Sequence, residues 1–308
     1  MEKVGIVGVG QMGADMGLLA LAYGYEAVLI GRTEEKAAKG RQQIEKDMED
    51  MIRCGKFTAE KKETCLARLA LSDDYRDLAD CAFIIEAVVE DPAVKRSVYE
   101  KIEQACSEDA VILSETSGIL PDELAEGMRC KERFLVAHSW NPPHVIPLVE
   151  VVPGKHTSAK ALQKAVAFLE ALDREVVVLR KAVPGFIGNR IQHAMFREAL
   201  SLIEEGVATP EEIDKVIYYS IGQRYAHVGL MEYYDSCGLD LQKQVQSYLL
   251  ADLCNAKGPQ KPLTDCLAAG DLGAKTGKGL YEWPEEKREE FRVRKTAGFM
   301  PFIRWDEK

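Results

Sequence analysis

Five histidines occur in this 308-residue chain, so each can be weighed as a source of acid–base chemistry. His138 closes an apolar, β-branched run and is followed by Ser139-Trp140-Asn141-Pro142-Pro143. The next such run carries Leu148-Val149-Glu150. An imidazole at a strand end exchanges a proton with a hydroxyl or carbonyl oxygen near neutral pH, and a carboxylate on the returning strand orients the ring through its other nitrogen. Alone, His138 reads as a structural histidine and Glu150 as a surface carboxylate. Together they make an acid–base pair.

A second chemical signature lies at the start of the chain. Gly8-Val9-Gly10-Gln11-Met12-Gly13 is a G-x-G-x-x-G that follows a strand pattern and opens a helical one. Gly8 permits the tight turn, Gly10 lets a pyrophosphate approach the backbone, Gly13 allows close helix–strand packing, and the helix N-terminus offers its amides to the phosphates. The residue that selects the dinucleotide falls about 20 positions further on. There the chain reads Leu29-Ile30-Gly31-Arg32-Thr33, with glycine where an acid would hold the ribose of NAD. Without that acid a 2′-phosphate is not repelled, and Arg32 can grip it bidentately with Thr33 and Lys36 in support. The expectation is NADP(H) in preference to NAD(H). In the competing reading Arg32 is a surface residue and Glu34 or Glu35 reaches the ribose.

The elements that position these groups follow from the pattern. Val4–Val9, Ala27–Ile30, Phe83–Ala87, Val111–Ser114, Phe134–His138, Leu148–Val152 and Val176–Leu179 read as buried strands, separated by amphipathic stretches such as Thr33–Cys54 and Pro92–Ala105. That alternation specifies an α/β domain, a Rossmann-type doubly wound, mostly parallel sheet with helices on both faces. Gly55 and Thr58 punctuate an inserted helical pair before the Phe83 run. After Pro184 the pattern turns helical, and Thr209-Pro210-Glu211-Glu212 combines a cap, an N1 proline and a capping-box acid. The expected organisation is a dinucleotide-binding domain over 1–183, an all-α substrate and dimerisation domain over 184–284, and a charged C-terminal tail over 285–308.

Composition narrows the function. Apolar residues are 46% and charged residues 29%, so the chain is globular, and 50 acidic against 40 basic residues give a net charge of −10. Such a chain lacks the electrostatic footprint for nucleic acid or an anionic membrane. A strand pattern from Lys3 leaves no place for a signal peptide, and no run reaches the length of a membrane span. The eight cysteines show no C-x-x-C spacing. They read as free thiols of a cytoplasmic protein rather than a zinc site, and no metal is expected.

These residues and their order resemble the L-3-hydroxyacyl-CoA dehydrogenase family. The resemblance runs to about Trp283 and rests on Gly8–Gly13, Ile85-Glu86-Ala87-Val88-Val89-Glu90, Thr116-Ser117, and His138-Ser139-Trp140-Asn141-Pro142. It continues through Leu148-Val149-Glu150-Val151, Pro184-Gly185-Phe186-Ile187-Gly188-Asn189-Arg190 and Lys275-Thr276-Gly277-Lys278-Gly279-Leu280-Tyr281. It implies a homodimer in which His138 and Glu150 form the catalytic dyad. Ser117 and Asn189 would bond the reacting oxygen, and Glu90 and Lys95 would lie near the nicotinamide ribose. It also implies hydride exchange between the nicotinamide and C3 of a 3-hydroxy or 3-oxo substrate.

The departures from the acyl-CoA pattern bear on that substrate. Ser139-Trp140 replaces an aromatic pair, and Gly222-Gln223-Arg224-Tyr225-Ala226 replaces a turn containing proline and methionine. Both features are similar to the branch acting on free hydroxy acids, the gulonate dehydrogenase and lambda-crystallin relatives. Asn141-Pro142-Pro143-His144 and Thr116-Ser117-Gly118-Ile119 are similar to a bacterial dehydrogenase of pyridine carboxylate breakdown. Arg224 would clamp a free carboxylate, whereas a salt bridge is its structural alternative. The acidic stretch Glu45–Asp50 is poorly suited to CoA phosphates, although Arg53, Lys56, Lys61 and Lys62 follow it. The favoured substrate is a small free hydroxy acid, and a CoA thioester is the alternative. A hydroxyisobutyrate-type dehydrogenase would need lysine where Gly185 stands. A dinucleotide sensor or crystallin-like structural protein would not need the dyad.

Overall fold

A computed structural model describes residues 2–305. The chain divides into two compact units: the first runs to Ile187 and returns from Lys295, and the second is Gly188–Arg294. The first unit holds, among the described residues, one eight-stranded sheet: β1 (Lys3–Val7), β2 (Glu26–Ile30), β3 (Leu69–Ser72), β4 (Cys81–Glu86), β5 (Val111–Ser114), β6 (Phe134–Ser139), β7 (Leu148–Pro153) and β8 (Glu175–Val178). Their order is β3-β2-β1-β4-β5-β6-β7-β8. Every neighbouring pair is parallel except β6–β7. The order reverses between β1 and β4, and the ends of those two strands carry Gly8 and Ala87. Open α/β sheets bind ligands at that switch point.

The strand β3 has no counterpart in the sequence reading. Its segment Leu-Ala-Leu-Ser is an edge with half its residues exposed, so neither β-branching nor continuous burial marks it.

The strand faces alternate as the pleat requires. Val4, Ile6 and Leu29 pack beneath α1 (Gln11–Ala22) and α2 (Glu34–Arg53), while Val7, Val28 and Ile84 face the side covered by α4 (Pro92–Ala105). Residues 13–22 of α1 are all buried. Each large aliphatic side chain so enclosed contributes roughly 1.5–3 kcal/mol. Thr33 caps α2 and Thr58 caps α3 (Ala59–Leu66), each accepting from the amide three residues on, because a hydroxyl satisfies one of the open donors of a first turn.

The end of the chain differs from the expected tail. The helix Glu285–Ala297 buries none of its side chains, but Ile303 and Trp305 beyond it are each 1% exposed in the core of the first unit. Trp305 meets Phe57 edge-on at 5.4 Å. Lys56 Nζ donates to the Ile303 carbonyl at 3.1 Å and Lys61 Nζ donates to that of Trp305. Phe186 is fully buried in the first unit.

The second unit is helical. It begins with α5 (Gly188–Glu204) and α6 (Pro210–Val216) and continues through a π-helical turn at Ile217–Gly222. The capping box at Thr209 forms as its sequence implies, with Glu212 answering the Thr209 amide at 2.9 Å.

Candidate active site

The glycine loop has the shape its spacing implies. Gly8 lies at φ +100°, and a Cβ there would sit 2.6 Å from the backbone of Ala87, just past the end of β4. At Gly13 a Cβ would fall 1.8 Å from the Gly8 carbonyl oxygen, whereas at Gly10 it would meet nothing within 4 Å. Two glycines are thus required by packing, and the third leaves open space beside the first turn of α1. No side chain caps that helix, so its leading amides face outward as an anion site. These residues fit a dinucleotide pyrophosphate. Gln11 is exposed and its amide donates to Asp15 at 2.8 Å, and Met12 is half-buried.

At the end of β2, Gly31 is buried, and a Cβ would lie 2.6 Å from the Ala37 amide and 2.7 Å from the Thr33 carbonyl. Sterics therefore exclude any side chain at that position, an acid included. Arg32, Thr33 and Lys36 are exposed around the start of α2. Thr33 accepts from the Lys36 amide, which uses an oxygen lone pair and leaves its hydroxyl proton available. Of the competing acids, Glu35 is paired with Lys39 at 2.7 Å.

The acid–base pair is a product of strand register. The connection over residues 140–147 is too short for a parallel crossover, so β7 returns antiparallel to β6 and sets Glu150 directly opposite His138. His138 Nδ1 lies 3.0 Å from Glu150 Oε2, and the two residues are 6% and 1% exposed. The second carboxylate oxygen accepts the Ile187 amide at 2.8 Å. Gly185 and Phe186 both take left-handed conformations, φ +74° and +50°, which turn that amide inward. Phe186 and Trp140 pack around the imidazole, with ring centres 5.5 and 6.1 Å away. Nδ1 is therefore held by Glu150.

Beyond the end of β4, Glu90 gathers three groups. It accepts from the Thr116 hydroxyl and from the Ser117 amide at 2.9 Å, and pairs with Lys95 at 3.3 Å. Lys95 itself is fully buried, with its ammonium 2.9 Å from Glu86. Glu86 also accepts from Tyr99, Ser114 and the Val88 amide. A buried ion pair is tolerable when its remaining lone pairs are filled in this way. Of the remaining expected residues, Asn189 stands in the first turn of α5 and Arg224 in the helical turn Gln223–Tyr225. Both belong to the second unit. Arg224 is exposed, with its guanidinium 4.2 Å above the Tyr233 ring.

Two groups escaped the sequence reading. Glu115 follows β5 and is buried, and its oxygens accept the Ser139 amide at 3.0 Å and the Ser139 hydroxyl at 2.8 Å. Burial pushes its carboxyl up to about 7, against the pull of those hydrogen bonds and of His138. The other group is a buried cluster of Asp15, Asp47 and His144. Its signal was available in the sequence: Asp15 is a lone acid inside an otherwise apolar helix.

A switch-point glycine loop joined to a strand-end His–Glu pair is the architecture of a dinucleotide-dependent oxidoreductase. Residues 3–183 match the model of the 3-hydroxyacyl-CoA dehydrogenase NAD-binding domain, and residues 185–283 match that of the family's C-terminal domain. A 3-hydroxybutyryl-CoA dehydrogenase of Mycobacterium tuberculosis is 30% identical over 92% of this chain and 99% of its own. An L-carnitine dehydrogenase of Bacillus cereus is 35% identical over 74% of this chain and 69% of its own. Among solved structures, a 5-formyl-3-hydroxy-2-methylpyridine 4-carboxylic acid 5-dehydrogenase, described as an NAD+-dependent dismutase, superposes with a TM-score of 0.88. It is 28% identical, covering 97% of this chain and 96% of that one. The chain belongs to the 3-hydroxyacyl-CoA dehydrogenase family and is a dehydrogenase acting on a CH–OH group.

Proposed function

We propose that the enzyme interconverts a small free hydroxy acid and its oxo form, with His138 as the proton carrier. A bound nicotinamide supplies the hydride acceptor or donor. Gly8, Gly10 and Gly13 with the first turn of α1 hold the pyrophosphate, and Glu90, positioned by Lys95, stands near the nicotinamide ribose. Arg32, with Thr33 and Lys36, admits a 2′-phosphate, so that NADP(H) is used in preference to NAD(H). During oxidation His138 Nε2 takes the hydroxyl proton, and during reduction the imidazolium returns it to the developing alkoxide. Glu150 fixes the tautomer and stabilises the charged ring. Ser117 and Asn189 bond the reacting oxygen.

The free-acid reading rests on one observation above all: the four basic residues Arg53, Lys56, Lys61 and Lys62 are already engaged. Arg53 pairs with Asp50 and Lys62 with Glu49, while Lys56 and Lys61 donate to the carbonyls of Ile303 and Trp305. None is left as a dedicated anchor for CoA phosphates. Arg224, stacked on Tyr233 and exposed, presents its donors to a carboxylate. The carnitine and pyridine-carboxylate dehydrogenases carry substrate names of the same free-acid kind, whereas the mycobacterial relative is named for a CoA thioester.

The test is oxidation of NADPH and NADH with acetoacetate and with acetoacetyl-CoA under matched conditions. Turnover of the free acid, with Arg224→Ala raising its KM about 10- to 100-fold as loss of a charge-assisted pair would, supports this reading. Turnover of the thioester alone overturns it. The second unit also exposes Tyr219, Met231 and Tyr248 at 77%, 78% and 66%. This surface supports a homodimer, which sedimentation velocity would detect, in a cytoplasmic enzyme.

A further inference from the structure

We propose that Asp15, Asp47 and His144 form a buried site for one zinc-class divalent cation, which ties the phosphate-binding helix to the loop that follows the His138 strand. The three residues come from three elements: α1, α2 and the 140–147 connection. They are 0%, 7% and 5% exposed, and one ligating atom of each lies within 4.8 Å of the other two.

Two observations point to a cation rather than to a self-sufficient polar cluster. His144 Nδ1 and Asp15 Oδ2 face each other at 3.2 Å, yet both are buried without a hydrogen bond, since the alignment for one is absent. That separation is close to the edge of about 3.3 Å that a tetrahedral ion with bonds of about 2.0–2.1 Å would span. The charge balance agrees. Two carboxylates share a buried site, and among the described residues no lysine or arginine pairs with either. A protonated His144 could offset at most one of the two carboxylate charges, whereas a divalent ion neutralises both.

The surroundings resemble the outer layer of a metal site. Gln11 donates to the far oxygen of Asp15 at 2.8 Å, and Gln43 donates to Asp47 at 2.8 and 3.0 Å, orienting the carboxylates as outer partners of metal ligands do. Arg174 pins the His144 loop through the carbonyls of Pro143 and Ile146. The Trp305 ring lies 6.5 Å from His144 and is itself buried, so the terminal segment closes the site. An imidazole in the set favours zinc over magnesium or calcium, which take all-oxygen shells of six or more.

The experiment is chelation of the purified full-length protein, then titration with Zn2+ by calorimetry and with Co2+ by visible absorption. One equivalent of Zn2+ should bind and raise Tm by several degrees. Co2+ should show ligand-field bands without sulfur-to-metal charge transfer. Asp47→Asn and His144→Asn, each checked for retained NAD binding, should lower Zn2+ affinity at least 100-fold. Failure of the chelated wild type to take up an ion would overturn the proposal without any variant. So would a sulfur charge-transfer band, which would assign the ion to the free cysteines, or unchanged affinity in either folded variant. All three readouts are independent of turnover.

Discussion

Replacing Glu150 by glutamine isolates what the carboxylate contributes, because the two side chains have the same shape. Glu150 Oε2 serves His138 Nδ1 at 3.0 Å and Oε1 serves the Ile187 amide at 2.8 Å. Glutamine has a single acceptor oxygen for these two places. If that oxygen turned to the imidazole, its NH2 would oppose the Ile187 N–H and leave a buried donor unmet, at about 1–3 kcal/mol. The other orientation keeps the Ile187 bond and points NH2 at Nδ1, so it prevails. Nδ1 must then accept, the ring proton moves to Nε2, and no lone pair remains there to take the hydroxyl proton. The lost charge alone accounts for about 1.5–3 kcal/mol, or roughly 10- to 150-fold at 1.36 kcal/mol per decade. A wrong tautomer costs about 10⁴ in the analogous Asp–His pair of serine proteases. The kcat for alcohol oxidation should accordingly fall about 10²- to 10⁴-fold. Cofactor affinity, read by quenching of protein fluorescence, should stay within about twofold, since no part of the change touches the glycine loop. A kcat within about threefold of wild type, in a variant that folds and binds cofactor, would refute the dyad. His138→Gln supplies the second reading, with the same loss expected.

Other residues can be tested as directly. Gly10→Ala should leave Tm nearly unchanged, because its Cβ meets no atom within 4 Å, but weaken dinucleotide binding about tenfold or more, some 1.4 kcal/mol. Gly13→Ala should destabilise the fold itself, and equal Tm values for the two variants would count against the packing argument. Glu115 titrates at about 7 in the folded protein against 4.5 in its absence, so the native state binds more protons between those values. Stability from this group therefore falls as pH rises from about 4.5 to about 7, by about 3 kcal/mol in all. Glu115→Gln should lose less Tm than wild type between pH 5 and pH 8, and parallel losses would remove the assignment. In the variant, Ser139 can accept from the new amide and donate instead to Met16 Sδ, which lies 3.6 Å from its hydroxyl. Arg32→Asp should invert the ratio of kcat/KM for NADPH over NADH. An unchanged ratio would return cofactor choice to another residue.

Much of the fold was legible because its determinants are local. Most apolar strands and the capping threonines act within a few residues of themselves, and the structure keeps them; β8, read as buried, is instead a largely exposed edge, and Gly8 answers to Ala87 far along the chain. The edge strand β3 was not legible, since its sequence carries neither alternation nor β-branching. The His138–Glu150 pair was visible as two residue types in two successive strands. The antiparallel return of β7 is what makes them partners.

Sequence alone therefore determined the class of chemistry: a glycine loop between a strand and a helix that suits a dinucleotide phosphate, and an imidazole and carboxylate on successive strands. Tertiary structure decided what depends on burial and distant pairing. It placed Glu115 where ionisation is costly and brought Asp15, Asp47 and His144 together from three elements. It also folded Trp305 onto the first unit through contacts such as Lys56 to Ile303, 247 residues apart. The reason is physical: a side chain's spacing is written in its neighbours, but the loss of water around it depends on segments that only the folded chain brings near.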